Sequence, residues 1–322
     1  MKKFSAALAV AAGLMISTSA FAQGVDPNLP SYKPTSGVSG SLKSIGSDTL
    51  NNLMTLWAEG FLAQYPNVKI EIEGKGSSTA PPALIAGTSQ FGPMSRPMKS
   101  KEIDEFEKKY GYKPTPVRSA VDALAVYAHK DNPVNCLSMQ QIDAIYSKTR
   151  KGGNSSDITT WGQVGATGEW ANVPISLYGR NSASGTYGYF KEVALFDGDY
   201  KDSVKEQPGS STVVQGVASD KGGLGYSGVG YKTADVKFIE IKGSDGKCYG
   251  PNAQNAYSGN YPIARFLYIY VNKNPNQALD PVRGEFIRYI YSKQGQEAVV
   301  KDGFFPVNQG LASEDLKAFG LM

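Results

Sequence analysis

Apolar residues recur along this chain at two spacings. Leu50, Leu53, Met54, Trp57, Phe61 and Leu62 fall three or four apart, which predicts a helix over 49–64 that Pro66 ends. VKIEIE at 68–73 alternates as a strand does, and a shorter strand is expected at 42–45. Pro81 opens a further helix over 81–86, and 100–110 reads as a charged surface helix. Two runs are nearly continuously apolar, VRSAVDALAVY at 117–127 and ARFLYIYV at 264–271, the pattern of strands buried on both faces. Between them lie a helix near 139–147, a loop at 151–159, a strand at 175–178, helices at 186–195 and 212–218, and a glycine-rich strand entry at 222–226. Helices at 281–292 and 295–301 follow, and Phe304-Phe305-Pro306-Val307 is read as closing the chain.

Strands alternating with helices predict an α/β protein. The two long apolar runs are where the chain is expected to cross between lobes, each lobe holding a mixed sheet flanked by helices. Lobe I then comprises 41–120 and 266–322, and lobe II comprises 121–265. A ligand would lie in the cleft between them, at strand ends and helix starts.

The N-terminus changes the compartment. Lys2 and Lys3 precede an apolar stretch from Phe4 to Ile16, and Ala20-Phe21-Ala22 has the form of a cleavage site. This is a secretory leader over 1–22, too short to span a bilayer. An exported, periplasmic protein is expected, with a surface or extracellular location as the alternative. Residues 23–40, rich in Pro, Gly and Ser, read as a flexible arm. A mature chain of 300 residues suggests about two domains. Its net charge falls from +4 to +2 once Lys2 and Lys3 leave, too weak for a nucleic-acid partner. Cys136 and Cys248, an even pair in an oxidising compartment, are expected to form a disulfide that stiffens one lobe. One histidine, His129, and no C-x-x-C spacing leave no metal site to propose.

Three segments share a physical design. Gly46-Ser47-Asp48-Thr49-Leu50, Gly76-Ser77-Ser78-Thr79 and Arg180-Asn181-Ser182-Ala183-Ser184-Gly185-Thr186 each follow a strand and open a helix. Each sets hydroxyls and free backbone N–H groups at a helix N-terminus, where unpaired donors and the helix dipole favour an anion. Any one of them alone is more simply a helix cap. Three together, one with an arginine able to donate two parallel bonds, point to a shared oxyanion site.

These residues, in this order, resemble the phosphate-binding proteins of the Pst phosphate-specific ABC transporters, over nearly the whole mature chain. The most specific piece is Arg180-x-x-x-Ser184-Gly185-Thr186. The resemblance implies a two-lobed type II periplasmic-binding fold closing on inorganic phosphate, without catalysis or cofactor, for delivery to an ABC permease in the inner membrane. A monomer is expected. It implies phosphate donors at Thr49 and Leu50, with Ser47 sharing that role, at Ser77 with Ser78 assisting, and at Arg180, Ser184, Gly185 and Thr186. In the best-known branch a buried aspartate follows the F-G-x-S run and accepts the proton of phosphate; here Ser95 occupies that place in Phe91-Gly92-Pro93-Met94-Ser95-Arg96. The acceptor is then sought at Asp122, a lone acid in an apolar run, and next at Asp48. Ser182 likewise stands where that branch has an aspartate paired with the arginine, and Arg96 either adds positive charge near the site or faces solvent. The competing readings are another oxyanion such as sulfate or molybdate, a secreted phosphatase, and a surface-adhesive protein.

Overall fold

The computed structural model describes residues 24–322; the leader expected over 1–22 lies outside them. The first sheet has the order β2-β1-β3-β12-β4. Its strands are β1 (Gly40–Gly46), β2 (Val68–Gly74), β3 (Phe91–Met94), β4 (Thr115–Ala123) and β12 (Ala264–Val271). β1 runs parallel to both β2 and β3, and β12 lies antiparallel between β3 and β4. The second sheet holds β5 (Ala125–His129), β6 (Cys136–Leu137), β7 (Ser176–Arg180), β8 (Lys205–Gln207), β9 (Gly223–Ser227), β10 (Val236–Lys242) and β11 (Cys248–Tyr249).

Helices cover the faces because the strands are apolar on both sides. On one face of the first sheet α1 (Asn51–Leu62), α8 (Pro281–Ile290) and α9 (Lys293–Lys301) pack together through Phe61, Phe286 and Phe91, and Trp57 donates to the Gly295 carbonyl at 2.7 Å. On the other, α2 (Ala80–Ala86) and α3 (Ser100–Tyr110) bury Leu84 and Phe106 against Met94 and Tyr270. On the second sheet α4 (Met139–Tyr146) and α5 (Gly185–Ala194) bring Tyr146 and Phe190 onto Tyr226, while α6 (Ser210–Ala218) sets Val213 and Val217 against Tyr127 and Tyr178. The short α7 (Ala253–Tyr257) precedes β12, and α10 (Gln309–Phe319) ends the fold. No described helix is long and apolar enough to cross a membrane.

The apolar run expected as one strand over 117–127 is two. The chain leaves the first sheet at Leu124 and enters the second as β5, and Leu124 N–H donates to the Ile263 carbonyl at 3.1 Å where the return passage runs alongside. Both halves are buried, so apolar content alone carries no sign of the change of sheet. Residues 24–40, expected as a flexible arm, instead lie against the first sheet's helices. Leu29 and Val38 are buried, and the Tyr32 hydroxyl donates to Glu285 at 2.8 Å and meets the Tyr65 hydroxyl at 2.6 Å. Nor does the pattern close at Val307, because α10 follows, with Asp315 paired to Arg118 of β4. Cys136 and Cys248 are bonded, tying β6 to β11 across their common neighbour β10.

Candidate functional site

The turns that open α1, α2 and α5 meet where the two sheets face each other. From the first sheet come Ser47 and Thr49 after β1, Ser77 after β2 and Ser95 after β3; from the second come Ser184, Gly185 and Thr186 at the start of α5. Ser47, Thr49, Ser77, Ser95, Ser184 and Thr186 are all buried. Five of these hydroxyls, all but that of Ser184, form an open, branched ring of contacts through Ser95 Oγ. Ser47 Oγ donates to Ser95 Oγ at 3.0 Å, Ser77 Oγ lies 3.2 Å from Ser95 Oγ, and Thr186 Oγ1 lies 3.0 Å from Thr49 Oγ1 and 3.5 Å from Ser95 Oγ. Ser77 Oγ accepts the Ser95 N–H at 3.0 Å.

Helix α5 aims its N-terminus at this ring. Ser184 caps it, its Oγ accepting the N–H groups of Thr186 at 3.1 Å and Tyr187 at 3.4 Å. Both the cap reading and the ligand reading therefore hold for Ser184, whose own proton is still free to donate. The Gly185 N–H has no acceptor among the described residues. A Cβ at Gly185 would sit 2.2 Å from Ser77 Oγ and 2.7 Å from Ser95 Oγ, so only glycine lets the two lobes approach this closely. Gly76 makes the matching turn on the opposite side, at φ +111°, and a Cβ there would meet the Ala183 carbonyl at 2.5 Å.

Arg180 ends β7 fully buried. Nη1 donates to Ser210 Oγ at 2.7 Å and Nη2 to the Pro208 carbonyl at 3.1 Å, while Nε has no partner among the described residues. Nη2 also lies 3.3 Å from Asp48 Oδ2, which accepts the Ser210 N–H at 2.8 Å. Burial pushes the guanidinium below its ordinary pKa, and the Asp48 charge opposes this. Asp48, reaching across from the other lobe, thus supplies the carboxylate that Ser182 lacks.

Asp122 is completely buried on β4, opposite Arg265 on β12. Arg265 Nε and Nη2 donate to Asp122 Oδ2 at 3.0 and 2.8 Å, and Asp122 Oδ1 accepts the Val229 N–H at 3.0 Å. Oδ1 faces Gly228, whose Cβ position lies 3.5 Å from it and 3.4 Å from the Thr49 methyl. Arg265 continues inward, Nη1 donating to the Ser95 carbonyl at 2.7 Å and Nη2 to Thr186 Oγ1 at 2.9 Å.

Residues 32–294 match the PBP superfamily domain. The chain is 54% identical to the phosphate-binding protein PstS of Pseudomonas aeruginosa, over 100% of this chain and 99% of that one. The chain belongs to this family. It is also 30% identical to the phosphate-binding protein PstS of Staphylococcus haemolyticus, covering 80% of this chain and 79% of the relative. Among solved structures it resembles one from Clostridium perfringens described as a phosphate ABC transporter substrate-binding protein with bound phosphate. The TM-score is 0.71 and the identity 26%, over 84% of this chain and all of that one. An ABC-type phosphate transport receptor from Vibrio cholerae shares the fold, with a TM-score of 0.64 at 22% identity, over 83% of this chain and all of that one.

Within this PBP fold, most of the residues singled out by sequence come together: Ser47, Thr49, Ser77, Ser95, Arg180, Ser184, Gly185 and Thr186. Two behave differently. Ser78 is exposed on the rim, its N–H and hydroxyl both donating to the Ala183 carbonyl at 3.1 Å, so it staples the lobes rather than facing the ring. Leu50 buries its side chain in the core, leaving only its backbone N–H, which has no acceptor among the described residues, to act at the site. Arg96 is neutralised by Glu102 at 2.6 Å and lines, with Ser182 and Ser184, a cavity of about 700 Å³ at the cleft mouth. His129 ends β5, where its Nδ1 accepts the Asp131 N–H. Sequence reasoning missed Arg265 and Ser210. The one available signal for Arg265 was a lone cation at the entry of an apolar run, the same anomaly that drew attention to Asp122.

Proposed function

We propose that this PBP-family chain captures inorganic phosphate between its lobes and hands it, chemically unchanged, to the membrane permease of an ABC importer. The observation that carries the reading is the enclosed ring of hydroxyls at the start of α5, beside a buried arginine with an unpartnered Nε. Burying an oxyanion without a full set of counter-charges requires many hydrogen-bond donors. Hydroxyls, the Leu50 and Gly185 amides and Arg180 supply them from both lobes. The names of the Pseudomonas and Staphylococcus relatives support phosphate as the ligand, and the description of the Clostridium protein supports an ABC transporter as the destination.

Asp122 is the proposed proton acceptor. Each carboxylate oxygen has two lone pairs, and among the described residues only one donor engages Oδ1. That leaves capacity for the proton of monohydrogen phosphate, which sulfate does not carry. Cleavage of the leader read in residues 1–22 would release the protein into the periplasm. The proposed lobes, expected over 41–120 with 266–322 and over 121–265, shift by a few residues to follow the sheets, with the crossings at Leu124 and just before Ala264.

Calorimetric titration of ligand-stripped mature protein with phosphate, then with sulfate, tests the reading. Tight phosphate binding with sulfate silent is the expected result. Equal binding of both anions would replace it with a general oxyanion binder and remove Asp122 as the acceptor.

A further inference from the structure

We infer that Arg265 is a positioning residue that fixes the Thr186 hydroxyl as a hydrogen-bond donor to the captured anion. The inference rests on the phosphate reading above and concerns how the site is prepared for its ligand.

A hydroxyl has one proton and two lone pairs, and its proton turns to whichever acceptor is left. Arginine has donors only. Since Arg265 Nη2 lies 2.9 Å from Thr186 Oγ1, the threonine must accept in that contact. Its proton is thereby directed away from Arg265, towards Thr49 Oγ1, Ser95 Oγ and an anion lying against them. Ser77 is handled the same way by a backbone donor, the Ser95 N–H. The ring therefore has a built-in polarity, with two of its hydroxyls obliged to donate inward. An anion, which offers only acceptor oxygens apart from any protons it carries, meets donors already turned towards it.

Charge does not account for this arrangement. Asp122 lies on Arg265 with two hydrogen bonds and offsets its charge before the ring is reached. What remains is orientation. The fork also holds the Ser95 carbonyl through Nη1, so one guanidinium sets a residue of each lobe, Ser95 and Thr186, from the start of the strand that follows the return passage. The Tyr189 ring, 5.4 Å from the Arg265 guanidinium carbon, packs over it. Both members of the pair are buried on facing strands, which leaves the fork little freedom to turn.

A double-mutant cycle on the full mature chain, read by phosphate titration, distinguishes orientation through Thr186 from general support. Thr186→Val and Arg265→Gln are each expected to weaken phosphate binding by about ten- to a hundredfold, the range for a hydrogen bond to a charged group. If Arg265 acts through Thr186, the double variant binds no more than about threefold more weakly than the weaker single one, because the shared contact is lost only once. Losses that multiply would overturn the inference. Should Arg265→Gln leave Asp122 unpaired and prevent folding, the cycle is run with Arg265→Lys, which keeps a cation opposite Asp122 but gives up the fork that reaches Thr186, and is read by the same rule. Wild-type protein that takes up no phosphate would overturn the phosphate reading itself, whereas wild-type binding with multiplying losses would overturn the role of Arg265 alone.

Discussion

Gly185 has no side chain to place, and Ser77 and Ser95 from the opposite lobe occupy the space one would need. Adding a methyl group there forces the lobes apart at the point where donors must converge, since backbone and short hydroxyl side chains have little room to give. Gly185→Ala is therefore expected to weaken phosphate binding at least about tenfold, equivalent to about 1.4 kcal/mol, with little change in unfolding temperature. Titration calorimetry beside thermal unfolding checks it, and wild-type affinity would mean that α5 is not packed this way in the bound state. Arg180→Ala removes the unpartnered Nε and leaves Asp48 facing a void. Tight anion binding should disappear while both lobes stay folded by circular dichroism; retained affinity would exclude Arg180 from the site. These residues were legible in the sequence because serine, threonine and glycine clustered after strands and before helices have a short list of uses. Arg265 was not, because its partner lies 143 positions earlier and only the pairing of β4 with β12 brings the two together.

At the scale of elements, patterns with strong local periodicity were readable and those defined by distant partners were not. The helix at 100–110 and the strand at 264–271 have the bounds their patterns predicted, Ser100–Tyr110 and Ala264–Val271. β3 is four residues with Gly92 and Pro93 inside, a poor strand by propensity, held by β1 on one side and β12 on the other. β10 lacks clean alternation in burial because its first half pairs with β5 and its second half with β6 and β11. The 24–40 segment has a linker's composition, yet Leu29, Tyr32 and Val38 fasten it. Its deletion is expected to uncover Tyr65 and Glu285 and lower the unfolding temperature by roughly 5–10 °C, with phosphate affinity unchanged. A shift under about 2 °C would return the segment to the status of a loose arm. The turn after α9 makes a second prediction. Asp302 accepts from Asn52, while its Oδ2 is shut off from water without a partner among the described residues. Burial raises its pKa from 3.8 to about 6, the Asn52 bond opposing this. A carboxyl raised in the folded state binds its proton more tightly there than in the unfolded chain. It therefore costs stability at neutral pH, and that cost is relieved as the pH falls from about 6 towards 4. Asp302→Asn should stabilise the protein by roughly 1–3 kcal/mol at pH 7.5 and by nothing near pH 4, read by denaturant unfolding. A gain independent of pH would show that charge burial is not its origin.

The molecule as a whole is held shut by contacts that cross between its lobes. Ser210 N–H donates to Asp48, the Tyr231 hydroxyl to the Thr49 carbonyl at 3.0 Å, and Ser78 to the Ala183 carbonyl. Two passages, at Leu124 and before Ala264, connect the sheets, so the lobes can rotate about a narrow hinge while each keeps its own core. Closing gathers the Leu50 and Gly185 N–H groups and the Arg180 Nε, donors from both lobes that have no acceptor among the described residues until an anion arrives. The anion therefore binds the closed form far better than the open one, and that difference is what shifts the population. Small-angle scattering of stripped protein should give a radius of gyration above the roughly 19 Å expected for a compact chain of this size, and phosphate should reduce it. Tyr231→Phe, which leaves the ring of hydroxyls intact but removes one interlobe bond, should weaken binding mainly through faster release, by about three- to tenfold. Scattering curves that superimpose with and without phosphate would mean that the lobes are already closed when the anion enters. In that case Tyr231→Phe should leave the release rate unchanged, and entry would have to pass through the cavity at the cleft mouth beside Arg96.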